Sequence, residues 1–279
     1  MRTSLIAVFL IICASCTETK VSTSQKKEAS FNRYITKPNF QKIIDTSDVI
    51  GSILIYDLND DLYYSNDFEW SNIGQLPAST FKIANTIIGL ETGVIESDST
   101  IFKWDGTQKW SKNWEQDLML KDAFQFSCVP CYQEVAKNIG SKRMNDYISK
   151  FRYGSLRIDS SNIADFWLEG TSRITQKQQI SFLKRLYRSE LPISKRTEQI
   201  VKSIMLVEET DLYKLSAKSG LSIVNDKYNG WYVGYLELKN KTYLFATNIE
   251  PKKDFVFDSF VNKRSDLSLS AFKEMNLLK

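Results

Sequence analysis

The order of strand-like and helix-like segments constrains this chain more than any other feature. Gly51 to Leu58 and Leu62 to Ser65, separated by Asn59-Asp60-Asp61, carry the alternation and turn chemistry of a β-hairpin. Leu212 to Val224, Gly230 to Leu238 and Thr242 to Ile249 read as further strands, joined by polar turns at 225–229 and 239–241. Between these two groups the period is helical. One helix begins at Pro77, with Phe81, Ile83, Ala84, Ile87, Ile88 and Leu90 apolar before Gly93 stops it. Others are expected near 116–126, 130–139, 142–150, 175–188 and 194–207, and a last amphipathic helix at about 266–278. Strands at both ends around a helical middle predict an α+β fold, an α/β sandwich: an antiparallel β-sheet whose first and last elements meet, flanked by helices and carrying an inserted all-helical subdomain.

The first residues do not belong to that body. Met1-Arg2-Thr3-Ser4, the apolar run Leu5 to Ile12 and then Cys13-Ala14-Ser15-Cys16 form a signal peptide too short to span a bilayer. Ala14-Ser15 before Cys16 resembles a bacterial lipoprotein cleavage box, which would make Cys16 the lipidated first residue of the mature chain; plain cleavage and release into the periplasm is the alternative. Residues 16–35 are polar and aperiodic and read as a tether, leaving 36–279 as the folded domain. An exported protein is expected, periplasmic or held at the outer membrane through lipid. No later segment has the apolar length of a transmembrane helix.

The chain contains no histidine, which removes Ser-His-Asp and Cys-His catalysis and the usual zinc hydrolase sites. Its cysteines form two C-x-x-C pairs, Cys13/Cys16 and Cys128/Cys131; because the first lies in the signal region, a four-cysteine metal site is not expected. For Cys128 and Cys131, two buried thiols are expected, with a disulfide as the alternative in an oxidising compartment. Lys plus Arg exceed Asp plus Glu by only 37 to 33, with no large basic cluster, so no nucleic-acid partner is suggested.

Without histidine, a hydrolase needs a carboxylate, lysine or cysteine as its proton acceptor. In Leu76-Pro77-Ala78-Ser79-Thr80-Phe81-Lys82, Ser79 falls in the first turn of a helix, where free N–H groups favour developing negative charge. Lys82 lies three residues on, on the same face, with its stem between Phe81 and Ile83; such surroundings lower a lysine pKa or favour its conversion to an anion. The S-x-x-K spacing alone is weak, because it recurs at Ser24, Ser181 and Ser270, and a helix start with an exposed lysine is its plain alternative. Lys218-Ser219-Gly220 lies on a predicted strand, where the missing side chain of Gly220 would let a substrate approach the backbone. Ser127-Cys128-Val129 lies at a helix junction just before Pro130, although S-x-V also occurs at Ser47 and Ser222.

Taken in order, Ser79-Thr-Phe-Lys82, Ser127-Cys-Val129 and Lys218-Ser-Gly220 resemble the three motifs of serine β-lactamases and penicillin-binding proteins. Ser127-Cys-Val-Pro-Cys-Tyr-Gln-Glu134, Phe151-Arg-Tyr-Gly154, Phe166-Trp-Leu-Glu-Gly170 and Gly230-Trp-Tyr-Val-Gly234 narrow the resemblance to the class D, oxacillinase-type β-lactamases. That resemblance implies a Ser79 acyl-enzyme and a Lys82 carboxylated by carbon dioxide, whose carbamate serves as general base in acylation and deacylation. No other cofactor is implied. Val129 would wall the carbamate and the Trp167 indole would hold it. Ser127 would relay a proton to the leaving nitrogen, assisted by Lys218, and the N–H groups of Ser79 and Leu221 would form the oxyanion hole. Ser219, Gly220 and Arg264 would complete the substrate site, Arg264 standing before the final helix and binding the substrate carboxylate. Ser155 replaces the family's usual asparagine after Tyr153-Gly154, and Cys128 and Cys131 lie outside its usual pattern. A cell-wall peptidase with an unmodified lysine, a penicillin sensor acylated without turnover and a passive lipoprotein are the other readings. The assembly is expected to be a monomer or a homodimer.

Overall fold

The computed structural model describes residues 33–279. A short strand, β1 (Tyr34–Thr36), and helix α1 (Pro38–Asp45) precede the predicted hairpin, β2 (Val49–Asp57) and β3 (Leu62–Ser65). The helical middle comprises α2 (Lys82–Glu91), a two-stranded ribbon β4 (Ile101–Phe102) and β5 (Leu118–Met119), then α3 (Leu120–Gln125), α4 (Val129–Ile139), α5 (Ser141–Phe151), α6 (Gln176–Tyr187) and α7 (Lys195–Met205). The chain then forms β6 (Leu206–Glu209), β7 (Tyr213–Val224), β8 (Lys227–Leu238) and β9 (Thr242–Pro251), and ends in α8 (Phe257–Glu274).

These strands build one seven-stranded sheet in the order β1-β3-β2-β9-β8-β7-β6. As predicted, the first and last parts of the chain meet, because β2 pairs antiparallel with β9 from Val49↔Pro251 to Asp57↔Tyr243. Both sheet faces are covered, so the central strands are apolar without interruption while their side chains still alternate between two cores. Leu54 and Tyr56 of β2, Val233 of β8 and Leu244 of β9 face the helical subdomain. Ile53 and Ile55 of β2, Tyr232 of β8 and Phe245 of β9 face α1 and α8. Helix α2 is buried from Lys82 through Leu90 and packs against α4, α5 and α7, which explains why it is apolar nearly all round.

The structure revises several boundaries. β1 pairs in parallel with β3 through Tyr34↔Tyr63, so the sheet begins inside the segment assigned to the tether. The expected helix at 116–126 is a strand followed by the shorter α3, since Leu118 and Met119 pair with Phe102 and Ile101. The last helix starts at Phe257, nine residues before its expected beginning, and Arg264 lies within it. Cys128 and Cys131 form a disulfide instead of two buried thiols. Cys128 is the N-cap of α4 and Cys131 sits in its first turn, which brings their Cα atoms to 5.5 Å, the ordinary span of a disulfide. The signal peptide, Cys16 and most of the tether lie outside the described residues.

Candidate active site

The Ser79 turn is fixed from several sides. Trp231 Nε1 donates to the Leu76 carbonyl at 2.8 Å and Asn229 Nδ2 donates to the same oxygen at 3.1 Å, anchoring the segment to β8. The Ala78 N–H donates to the Trp167 carbonyl at 2.8 Å. Thr80 Oγ1 donates to the Pro77 carbonyl at 2.6 Å and accepts from Gln179 Nε2 of α6 at 2.7 Å. These contacts hold Ala78 at φ +50°, a conformation that costs a non-glycine residue about 1–2 kcal/mol. As a result Ala78 to Phe81 form a 3-10 turn and the α-helix begins at Lys82, later than the expected start at Pro77.

This bend leaves Ser79 5% exposed and places Lys82 entirely inside. Lys82 Nζ donates to Ser79 Oγ at 2.9 Å and lies 5.2 Å from the centre of the Tyr132 ring. No acidic side chain among the described residues opposes the amine, and burial lowers its pKa to about 7. Trp167 stacks on Phe81, ring centres 5.7 Å apart, and its Nε1 is buried without a hydrogen-bond partner among the described residues. A donor left this way costs about 1–3 kcal/mol, so its presence beside the nucleophile's helix needs a reason.

Lys218, on β7, is also buried. It donates to Ser127 Oγ and, at 3.1 Å, to the Ser219 carbonyl. Burial comes first in lowering its pKa well below the usual lysine value, followed by repulsion from Lys82 and Arg264. Arg264 reaches the same strand from α8, with Nη1 donating to the Gly220 carbonyl at 2.8 Å and Nε to the Val261 carbonyl at 2.7 Å. Burial lowers its pKa to about 10, still charged at neutral pH. The Arg264 guanidinium and the buried Lys218 amine flank Ser219 and Gly220, with no carboxylate opposing either among the described residues. They suit an anionic group brought by a ligand.

Gly220 has a further purpose besides the expected one. A Cβ there would lie 3.1 Å from Thr80 Cγ2, 3.2 Å from Trp231 Cβ and 3.3 Å from Ala78 Cβ. The missing side chain thus admits the Ser79 turn against β7, and only its backbone borders the cleft.

A cleft of about 610 Å³ runs over these groups, and Ser79, Ser127, Val129, Ser219, Gly220, Leu221 and Arg264 all line it. Lys218 borders an adjoining cavity with Ser219 and Arg264, while Lys82 and Trp167 are fully buried. The three motifs predicted from sequence are thus brought together. At the departure, Ser155, the backbone exchanges hydrogen bonds of 2.8 and 2.9 Å with Arg173. Apart from Leu168, which belongs to the Phe166–Gly170 motif, no motif marks the cleft's apolar rim of Trp110, Trp114, Phe126, Ile223 and Val261. The one available signal is Trp110, a tryptophan 75% exposed in a polar segment with no core periodicity. Tyr132, inside the Ser127–Glu134 motif, was given no role there, and the structure places its ring beside Lys82.

Comparison with known proteins agrees with this geometry. Residues 21–270 match the penicillin binding protein transpeptidase domain. The chain is 43% identical over 189 residues to β-lactamase OXA-10 of Pseudomonas aeruginosa, covering 67% of this chain and 71% of that protein. It is 34% identical over 250 residues to β-lactamase OXA-48 of Klebsiella pneumoniae, covering 90% and 91% respectively. The crystal structure of the class D β-lactamase YbXI from Nostoc superposes with a TM-score of 0.82 at 41% identity, covering 86% of this chain and 99% of that one.

Proposed function

Because the chain belongs to the penicillin-binding transpeptidase family and, within it, to the class D β-lactamases, we propose that it hydrolyses the β-lactam ring of penicillin-type antibiotics through a Ser79 acyl-enzyme and so confers resistance. The observation that carries this reading is the buried Lys82 amine, 2.9 Å from Ser79 Oγ and lowered to about 7, with the unpartnered Trp167 Nε1 in the same apolar layer.

The ring-opening sequence follows from what each group can do. Ser79 Oγ loses its proton and attacks the lactam carbonyl, and the carbonyl electrons move to oxygen, where the N–H groups of Ser79 and Leu221 stabilise them. When the carbon–nitrogen bond breaks, Ser127 Oγ delivers a proton to the nitrogen, and Lys218, which hydrogen-bonds Ser127 and is protonated once the substrate carboxylate lies beside it, replaces it. Arg264 and Lys218 hold the substrate carboxylate, and the apolar rim holds the acyl side chain. Water then cleaves the Ser79 ester, returning the proton to the hydroxyl.

Both the first and last steps need a base. A lysine that is neutral near pH 7 can add carbon dioxide, and the resulting carbamate would supply the anionic proton acceptor that this histidine-free site otherwise lacks. The residues fit such a group. Lys82 has no competing carboxylate among the described residues, Trp167 Nε1 is a donor for an oxygen, and Val129 contributes an apolar wall.

Intact mass spectrometry after penicillin, with and without bicarbonate, tests this. A transient adduct on Ser79, released faster in bicarbonate and absent from Ser79→Ala, is expected. A stable adduct in saturating bicarbonate would instead indicate a peptidase or sensor. Export and lipidation at Cys16 are part of the proposal, supported by the disulfide, which suits an oxidising compartment. Labelling by radioactive palmitate should disappear in Cys16→Ala, and equal labelling would rule out that tether.

A further inference from the structure

The loop that carries Ser127 has almost no slack. Phe126 is the C-cap of α3, and the next two residues close it: the Ser127 N–H donates to the Phe124 carbonyl at 3.1 Å and the Cys128 N–H to the Ala123 carbonyl at 2.9 Å. That pairing places Ser127 where helices usually carry glycine, and it adopts φ +54°. Cys128 is already the N-cap of α4, so one residue ends a helix and the next begins another. Where an oxygen would normally accept the orphan N–H groups of the new helix, the acceptor is Cys128 Sγ, which takes the Cys131 N–H at 3.3 Å. Sulfur is a weak acceptor, but here the same atom is bonded covalently to Cys131 Sγ.

We propose that the Cys128–Cys131 disulfide is the positioning element for Ser127, taking the place of an oxygen cap and holding the serine hydroxyl against Lys218 in its left-handed conformation. This rests on the reading of Ser127 as the proton donor to the leaving nitrogen. The two sides of the loop are divided accordingly. Phe126, Ser127 and Val129 line the substrate cleft, whereas Cys128, Pro130 and Cys131 line a separate cavity of about 210 Å³. Cys128 is buried but Cys131 is partly exposed on that side, which is where a reductant would approach. The disulfide touches no reacting atom and acts only through Ser127.

A water-soluble phosphine tests the proposal on the full chain. The phosphine gives two electrons to the sulfur pair and takes oxygen from water, leaving a phosphine oxide and two thiols, so that reduction appears as a gain of two hydrogens in the intact mass. Rates of acylation by a penicillin and of acyl release are then followed by rapid quench and mass spectrometry in saturating bicarbonate. Loosening Ser127 should slow acylation by about tenfold and change release by less than about twofold, because release does not draw on the leaving-group proton. The Cys128→Ala/Cys131→Ala double variant repeats the measurement without reductant and should show the same split. Equal acylation by oxidised and reduced protein overturns the proposal, as does a parallel fall in acylation and release, which would indicate a merely structural bridge. Failure of the oxidised protein to acylate overturns the functional reading itself, and is seen in that arm alone.

Discussion

Two buried lysines lie in this site and are treated differently by the fold. Lys82, at the start of α2, has Ser79 Oγ as its hydrogen-bond acceptor and an aromatic ring beside it, and burial alone lowers its pKa. Lys218, on β7, donates to a hydroxyl and a carbonyl and shares its surroundings with Arg264. Both environments favour loss of a proton, and in the first that is what a nucleophile's partner requires. The second offers acceptors to an ammonium and borders the substrate cavity, as an anion-binding and proton-supplying group requires. One residue type therefore fills two roles, set by hydrogen-bond acceptors and access more than by depth.

The largest test of that division is to remove each amine. Lys82→Ala takes away the amine that hydrogen-bonds Ser79 Oγ, and kcat/KM for a penicillin should fall by about 10⁴-fold, with acyl release slowed as severely as acylation. Lys218→Ala should cost about 100-fold, mostly as a raised KM, and less for a substrate whose carboxylate has been esterified. Steady-state kinetics on the two substrates reads both. If the variants lose activity equally in kcat and without regard to the ester, the two lysines are not divided as described. A milder perturbation keeps both amines and shifts the surfaces between them. Gly220→Ala would press a methyl group against Thr80 and Ala78, moving the Ser79 turn relative to β7, and should lower kcat by about tenfold with little change in KM.

Activity should also follow the protonation of Lys82. Its neutral fraction rises as pH climbs through about 7, so acylation should fall by about tenfold per pH unit on the acid side of that value. Trp167→Phe keeps the ring on Phe81 but removes the unpartnered N–H, and should raise the bicarbonate concentration needed for half-maximal rate by about tenfold. An unchanged bicarbonate dependence would separate Trp167 from the base.

Much of this arrangement was legible in the sequence because catalysis repeats residue types at spacings that secondary structure explains. Ser79 and Lys82 are one helical turn apart, and Lys218 and Gly220 share a strand face. The sheet was legible because β2 and β9 are long and apolar. What the sequence did not carry has local causes. The first half of α8 has no continuous apolar stripe, since Val261 and Arg264 face the cleft, so the helix was visible only from about Leu267. The rim residues Trp110 and Ile223 are exposed apolar side chains that line the cleft instead of a core, and such residues follow no period. The spacing of Cys128 and Cys131 was plain, but their occupying the cap and first turn of one helix was not.

The smallest effect expected is on stability, and it isolates the environment of Lys82 from its chemistry. An unfolded chain keeps the lysine proton up to about 10.5, whereas the folded protein releases it at about 7. Between those values the unfolded state binds more protons, so this residue's cost to folding is full below pH 7 and disappears as pH rises towards 10.5. Lys82→Met removes the titration while keeping an unbranched apolar stem. In carbon-dioxide-free buffer at pH 7 it should stabilise the protein by about 1–2 kcal/mol, or about 4 °C in Tm, and the advantage should shrink as pH is raised. Bicarbonate should narrow it as well, by stabilising the wild type alone. Lys218→Met should show no comparable gain, because it leaves the Ser127 hydroxyl and the Ser219 carbonyl without their donor. Equal gains from both substitutions would mean that burial alone, and not the acceptors around each amine, distinguishes the two lysines.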